Sequence, residues 1–182
     1  MRPRVYLAGP DVFLPEAAAI GREKARLCEA RGLEALYPLD GIEDPGDPVA
    51  IFRACVAMLH RADAALINLS PFRGPHADPG TAFEMGSLHA LGRPMVAYSA
   101  DPRDLAARVP TPEGTAGDGV LRDHHGHLVE DFGLADNVML AIAADDVVTA
   151  CAIDTEGWAV AAMQPFGKAV DRLIEILDAG RA

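Results

Sequence analysis

The sequence predicts an α/β protein built on a parallel sheet, and two observations carry that prediction. Short apolar runs of strand length alternate along the chain with longer segments of helical period. The spacing between successive runs leaves room for a crossover helix, which parallel pairing requires. Half of the 182 residues are hydrophobic and 24% are charged. We therefore expect one folded domain covering residues 1–182.

The individual elements follow from local signals. Strands are predicted at residues 4–8, 33–37, 64–69 and 94–98, and residues 147–153 fit either a fifth strand or more helix. Helices are predicted at residues 15–31, 48–61, 79–92, 101–108, 136–144 and 165–179. Gly32 is typical of a helix C-terminus, while Asp78 and Pro79 are typical of an N-cap and a first helical residue. Residues 109–133 lack a period, so we expect a long loop that covers the site.

Charge and composition narrow the function classes. The net charge of -11 and the pI near 4.8 argue against nucleic acid as a partner. Three widely spaced cysteines suit a reducing compartment. No apolar run approaches the roughly 18 residues that span a bilayer, and the first strand begins too early for a signal peptide. We therefore expect a cytoplasmic protein without a membrane partner.

Carboxylates follow the predicted strands, at the sheet edge where ligands bind in open α/β sheets. They are Asp11, Asp40, Asp78 with Glu84, and Asp101. The preference of Asp for turns and caps explains any one of these, Asp78 especially. It explains Glu84 less well, because this residue lies between Ala82-Phe83 and Met85-Gly86 on a predicted helix with few other charges, where it would face either solvent or a pocket. Paired carboxylates suit chemistry at an acetal-like carbon, where one attacks or stabilises and another group moves a proton.

Several other chemistries lack their motifs. The chain contains no Gly-x-Gly-x-x-Gly, no P-loop and no Gly-x-Ser-x-Gly elbow. The run from His124 to His127 could bind a metal, but adjacent histidines in an acidic loop are more often exposed to solvent. Cys55 falls on the apolar face of a predicted helix and is interpreted as core rather than nucleophile. We expect neither a metal nor a cofactor.

A family resemblance spans residues 4 to about 142. It is carried by the first strand with Gly9 and Pro10, by Asp40 after Tyr37-Pro38-Leu39, by Ser70-Pro71-Phe72-Arg73-Gly74, by the block from Asp78 to Gly86, and by Asp136-Asn137-Val138-Met139-Leu140. These segments resemble nucleoside 2-deoxyribosyltransferases. The resemblance implies a flavodoxin-like three-layer sandwich with about five parallel strands. It also implies a homo-oligomer, dimeric or higher, whose active sites are shared between neighbours.

The resemblance assigns roles to particular residues. Glu84 matches the nucleophile that attacks C1′ of a 2′-deoxynucleoside, releases the free nucleobase and forms a deoxyribosyl-enzyme ester. Tyr6 matches the residue that holds and tunes this nucleophile, and Asp78 matches the acid that binds the sugar hydroxyls. Asn137 matches a residue lent by the neighbouring subunit to the 5′-hydroxyl.

Other residues of the same motifs are expected to contact the substrate. They are Gly9, Pro10, Asp11, Asp40, Phe72, Arg73 and Gly80. Packing Gly9 or Pro10 against C2′ would disfavour a ribonucleoside, whose 2′-hydroxyl would lose water without gaining a partner. In some members an acid serves the base where this chain has Cys55, so the base could instead receive its proton from Asp40, Asp11, Asp78 or water.

Two alternative functions remain open at this level. A 2′-deoxynucleoside 5′-monophosphate N-glycosidase would use the same glutamate for hydrolysis and would need groups that bind a dianion, for which Arg73 is a candidate. A non-catalytic nucleoside-binding protein would use Glu84 only as a hydrogen-bonding group. The acidic chain, with Asp136 beside Asn137, favours an uncharged 5′-hydroxyl over a phosphate.

Overall fold

A parallel sheet forms the centre of the molecule. The computed structural model describes residues 1–42, 44–111, 119–151 and 158–180. Its strands are β1 (Arg4–Ala8), β2 (Glu34–Leu36), β3 (Ala64–Asn68), β4 (Met95–Ser99) and β5 (Asp146–Thr149). They pair in the order β2-β1-β3-β4-β5, and every pair is parallel. The predicted α/β class is confirmed, and the order is the flavodoxin-like one.

Helices lie in the connections between successive strands, and one more follows the last strand. They are α1 (Ala17–Glu29), α2 (Pro48–Arg61), α3 (Pro79–Ala90), α4 (Leu105–Arg108), α5 (Val138–Ala141) and α6 (Trp158–Ala179). A short 3₁₀ helix, Pro10–Phe13, which the sequence analysis did not predict, follows β1 directly. Among the described residues, three helices begin at aspartate N-caps, which are Asp47, Asp78 and Asp104. Asp47 accepts the backbone N–H of Val49 at 2.8 Å and starts α2 at the predicted residue.

The two faces of the sheet bury separate apolar clusters. Side chains alternate along a strand, so Val5 and Leu7 point to one face of β1 while Tyr6 and Ala8 point to the other. The first pair joins the cluster that contains residues of α1 and α6. The second pair joins the cluster with residues of α2 and α3. This alternation is what turns Tyr6 toward α3.

The C-terminal region corrects one prediction. The last helix was expected to begin at Pro165, where its amphipathic pattern starts, but α6 begins at Trp158 and continues through Pro165. The uncertain stretch at residues 147–153 contains most of β5, while residues 152 and 153 lie outside the described part.

The predicted long loop at residues 109–133 is described in part, since residues 112–118 are not. Within the rest, Arg122 and Leu128 form an isolated antiparallel bridge. Asp123 closes the turn between them by accepting the backbone N–H groups of His125 and His127. Across the described residues, no helix has the length and apolar character that crossing a bilayer would require.

Candidate active site

The candidate site is a cavity at the C-terminal edge of the sheet, beside β1. Its volume is about 320 Å³. The residues after β1 and β2 form one side, and α2 and the first turns of α3 form the other. Glu84, Asp78, Thr81 and Cys55 supply the polar groups, and Val12, Phe13, Leu39 and Ile51 are among the apolar ones. The position agrees with the general rule that ligands bind where the strand order reverses, here between β1 and β3.

Glu84 and Tyr6 form a close pair at this cavity. The Tyr6 hydroxyl donates to Oε1 of Glu84 at 2.5 Å, which joins the middle of β1 to the second turn of α3. The pKa of Glu84 is raised to about 7. Burial is the main cause, the charge of Asp78 adds to it, and the Tyr6 hydrogen bond opposes it. Burial and the neighbouring carboxylate also raise the pKa of Tyr6, so its hydroxyl stays protonated and remains a donor.

Asp78 both caps α3 and lines the cavity. Its Oδ2 accepts the backbone N–H of Thr81 at 3.0 Å and the Thr81 hydroxyl at 3.3 Å. Gly80 leaves room for this arrangement, because a Cβ there would lie 2.9 Å from Oδ2 of Asp78 and would displace that carboxylate. Within the part of the chain that the structure describes, both of these hydrogen bonds go to Oδ2 and none goes to Oδ1.

Cys55 lines the cavity, and its interpretation as a core residue is corrected. It lies one helical turn beyond Ile51 on α2, so the apolar face of this helix covers the cavity as well as the core. Its thiol lies within reach of Tyr6, and burial followed by the charge of Glu84 raises the pKa of Cys55. The neutral thiol adds a small, weakly polar wall beside the Tyr6–Glu84 pair.

The other carboxylates predicted at the sheet edge lie elsewhere. Asp11 is buried and accepts a 2.6 Å hydrogen bond from Lys24. Asp40 lines a separate surface pocket with Arg61, between β2 and α2. Asp101 pairs with Arg103 at 2.6 Å. Of the predicted strand-end carboxylates, only Asp78 and Glu84 line the cavity.

An aromatic cluster marks the edge of the cavity. The rings of Phe13 and Phe72 stack with centroids 5.2 Å apart, and the guanidinium of Arg73 lies 4.7 Å from the Phe72 ring and 5.4 Å from the Phe13 ring. Phe13, which the sequence analysis missed, lines the cavity directly. Its signal was its position two residues beyond Asp11, in the segment that leaves β1. Pro10 starts this segment as the first residue of the 3₁₀ helix, and Gly9 lines the cavity just before it.

Asn137 is held outside this cavity. Its side chain donates to Glu130 at 2.7 Å and caps α5 by accepting the N–H of Met139 at 3.0 Å. The adjacent Asp136 is buried and accepts the N–H of Ala77 at 2.9 Å, which ties the start of α5 to the loop before Asp78. Among the described residues, those that line the cavity do not include Asn137.

A second, apolar groove lies between α3 and α5. It has a volume of about 490 Å³ and is lined by Met85, His89, Val138, Met139, Ile142 and neighbouring residues. Met139 is 75% exposed and Ile142 is 67% exposed. The groove uses the face of α3 that does not carry Glu84.

Comparison with known proteins identifies the family. The family model for nucleoside 2-deoxyribosyltransferase matches residues 5–139. An uncharacterized protein of Schizosaccharomyces pombe is 32% identical, over 75% of this chain and 74% of its own length. The chain belongs to the nucleoside 2-deoxyribosyltransferase family and is thus an enzyme of the pentosyltransferase class.

Solved structures agree with this assignment. A 2-desoxiribosyltransferase from Leishmania mexicana is 30% identical and superimposes with a TM-score of 0.66, over 91% of this chain and 97% of its own. A conserved protein from Enterococcus faecalis V583 has a TM-score of 0.55 at 19% identity, over 94% of this chain and 99% of its own. The second similarity is one of fold alone.

Proposed function

We propose that this enzyme transfers a 2-deoxyribosyl group between nucleobases by double displacement, with Glu84 as the nucleophile. The observation that carries the proposal is the placement of Glu84. It lines a cavity at the sheet edge, accepts a hydrogen bond from Tyr6, and has a pKa raised by burial to about 7. Near neutral pH a large fraction is ionised, while partial desolvation keeps the carboxylate reactive.

The first displacement forms an ester. The Glu84 carboxylate attacks C1′, the C1′–N bond breaks, and its electron pair leaves with the base, which takes up a proton. Tyr6 donates to Oε1, which leaves Oε2 as the oxygen that attacks. Of the groups expected from sequence, Asp78 lines the cavity but accepts hydrogen bonds there, which supports a water bound to Asp78 as the proton source.

The second displacement regenerates the enzyme. A ring nitrogen of the incoming base attacks C1′, the ester bond breaks, and its electron pair returns to Glu84. The incoming base loses a proton, which replaces the one given to the departing base. The two steps leave the enzyme unchanged and retain the configuration at C1′.

The expected sugar contacts fit the geometry around Asp78. Its Oδ1 would accept a hydrogen bond from a sugar hydroxyl while Oδ2 remains bonded to Thr81. Gly9 lines the cavity without a side chain and supports close packing against the sugar. A 2′-hydroxyl facing this apolar segment would be desolvated without a partner, which favours 2′-deoxynucleosides.

The charge of the cavity supports an uncharged substrate over a 5′-monophosphate. Within the described part of the chain, the lining includes two carboxylates, Asp78 and Glu84, but neither lysine nor arginine. Arg73, the candidate for a phosphate contact, stacks on Phe13 and Phe72 at the edge. A dianion would therefore meet repulsion from both carboxylates.

We also propose that the active form is a homo-oligomer in which Asn137 completes the site of a neighbouring subunit. Asn137 lies outside the cavity of its own chain, at the start of α5, whose Met139 and Ile142 are exposed beside an apolar groove. Exposed apolar patches of this kind are typical of protein interfaces. Burying this groove against a second copy would carry Asn137 toward that copy.

The direct test is base exchange. The purified protein is incubated with deoxyinosine and free adenine, and the products are separated by chromatography. We expect deoxyadenosine from the wild type and from Glu34→Ala, which removes an exposed carboxylate on β2, and none from Glu84→Ala. Hypoxanthine without deoxyadenosine would indicate a hydrolase. Binding of deoxyinosine without turnover would indicate a non-catalytic protein, and either result would contradict the proposal.

A further inference from the structure

A buried polar network lies beneath the candidate site. Lys24 of α1 is only 1% exposed, and its Nζ donates to Oδ2 of Asp11 at 2.6 Å and to the hydroxyl of Tyr98 at 2.8 Å. The same ammonium group lies 5.2 Å from the centre of the Tyr98 ring and 5.1 Å from that of Phe166. The lysine therefore crosses the apolar layer beneath α1 and α6 to reach a single carboxylate.

The network continues across the ends of three strands. Asn68, the last residue of β3, donates to Asp11 at 3.2 Å. Its Oδ1 accepts the backbone N–H of Ser70 at 3.0 Å and the Ser70 hydroxyl at 2.6 Å. The Ser70 hydroxyl oxygen in turn accepts the N–H of Ala100, just after β4. Lys24 thus anchors a chain of buried hydrogen bonds that ties together the C-terminal ends of β1, β3 and β4.

Asp11 belongs to the segment that forms one wall of the cavity. It lies within the 3₁₀ helix Pro10–Phe13, and Gly9, Val12 and Phe13 around it all line the cavity. The packing leaves little freedom, because a Cβ at Gly9 would lie 2.6 Å from Cβ of Asn68 and 2.8 Å from Oδ2 of Asp11. A shift of the Asp11 carboxylate would therefore move the wall.

A buried ion pair is a costly way to stabilise a core. Well-packed apolar residues of the same volume often stabilise a fold equally well or better, because both charges must lose their water. What the pair adds is a fixed geometry, since Asp11 must lie where Lys24 and Asn68 can both donate to it.

We propose that Lys24 is a positioning residue for the substrate cavity: it holds Asp11, and through Asp11 it holds the wall formed by Gly9, Val12 and Phe13. This inference rests on the proposed function for the identity of the ligand. Lys24 packs on the face of the sheet opposite to the Tyr6–Glu84 pair. Its loss should therefore weaken nucleoside binding and leave the acid–base behaviour of Glu84 unchanged.

The test compares two substitutions on α1. Lys24→Met keeps the length of the side chain but removes its donors, and Cys28→Ala is a buried change on the same helix that removes none of the hydrogen bonds described above. Affinity for deoxyinosine is measured by calorimetry in a Glu84→Ala background, with circular dichroism and thermal unfolding recorded for each variant. We expect Lys24→Met to weaken binding about ten-fold and Cys28→Ala to leave binding unchanged. Equal affinities for the two variants would overturn the inference.

A milder variant covers the case in which Lys24→Met does not fold. Tyr98→Phe removes only the hydroxyl that accepts from Lys24 and keeps the ring against Phe166. We expect a smaller loss of affinity than for Lys24→Met, with no change in the pH dependence of base exchange by the otherwise wild-type enzyme. Unchanged affinity in Tyr98→Phe would count against the network.

A wild-type protein that binds deoxyinosine but exchanges no base would contradict the proposed function, while a selective Lys24 effect on binding would still support this inference.

Discussion

The hydroxyl of Tyr6 lies 2.5 Å from Oε1 of Glu84, and this hydrogen bond joins residues 78 positions apart in the chain. It opposes the effect of burial on Glu84, because it favours the ionised form while desolvation favours the protonated one. The result is a carboxyl group with a pKa of about 7. Since only the ionised form attacks, the proposed mechanism makes activity rise with pH through this value.

Replacing Tyr6 by phenylalanine should move this pH dependence. Without the hydrogen bond the pKa of Glu84 rises further, so the acid limb of the rate profile moves to higher pH. We expect turnover at neutral pH to fall about a hundred-fold, because the carboxylate also loses its fixed orientation. Tyr37→Phe is the control, since the Tyr37 hydroxyl is buried but donates to the carbonyl of Ala17. A Tyr6→Phe enzyme with the wild-type acid limb would contradict this role.

Glu84 should also limit the stability of the fold. Its pKa is about 4.5 in the unfolded chain and about 7 in the folded one. A raised carboxyl pKa means that stability is lost as the pH rises from the unfolded value through the folded value, by at most about 3 kcal/mol. Glu84→Gln avoids this loss, so we expect its advantage in unfolding free energy over the wild type to grow between pH 5 and pH 8. Denaturant titrations at both pH values provide the measurement, and a difference independent of pH would contradict the prediction.

The two roles of Asp78 can be separated by substitution. Asp78→Ala removes the N-cap of α3 and should cost about 1 kcal/mol of stability, whereas Asp78→Ser keeps a cap and should cost less. Both remove the carboxylate that we propose binds the sugar, so both should raise the KM for the nucleoside. Both should also lower the pKa of Glu84, because the charge of Asp78 raises it. Wild-type KM in the serine variant would argue against sugar binding by Asp78.

The shared site predicts complementation between inactive chains. Glu84→Ala lacks the nucleophile and Asn137→Ala lacks the residue lent to the neighbour, so a mixed oligomer contains sites with both residues intact. We expect the mixture, after denaturation and refolding together, to recover part of the wild-type exchange activity. Purely additive residual activities would contradict a shared site.

The groove between α3 and α5 is the surface on which this complementation should depend. Met139→Glu introduces a charge on its exposed wall and should reduce the oligomer mass seen by light scattering, together with activity. Val49→Glu changes another exposed apolar residue, 51% exposed at the start of α2, and should leave the mass unchanged. A Met139→Glu protein of wild-type mass would place the interface elsewhere.

The features predicted correctly from sequence have local causes. Asp78 and Pro79 start α3 where expected because capping and the fixed φ of proline act within one turn. The apolar run at residues 4–8 forms β1 as expected, and the alternation of side chains in any strand then places Tyr6 toward α3. With these two elements fixed, the meeting of Tyr6 and Glu84 follows from the parallel order of the sheet.

The features that sequence reasoning missed depend on contacts between distant elements. Lys24 gives no signal of burial, because lysine usually lies at the surface and its partner Asp11 belongs to another element. Cys55 fits an apolar helix face equally well whether that face covers core or cavity. Asp11, Asp40 and Asp101 share a position after a strand, yet Asp11 contacts Lys24, Asp101 contacts Arg103 and Asp40 lines a separate pocket.

The central claim is that Glu84 carries the deoxyribosyl group, and trapping that ester tests it most directly. The protein is mixed with a 2′-deoxynucleoside without an acceptor base, quenched in acid, digested and examined by mass spectrometry. We predict a mass increase equal to one 2-deoxyribosyl group on the peptide containing Glu84, which disappears when an acceptor base is added before the quench. Base exchange by the wild type with the group on another residue, or with full activity retained in Glu84→Ala, would contradict the account.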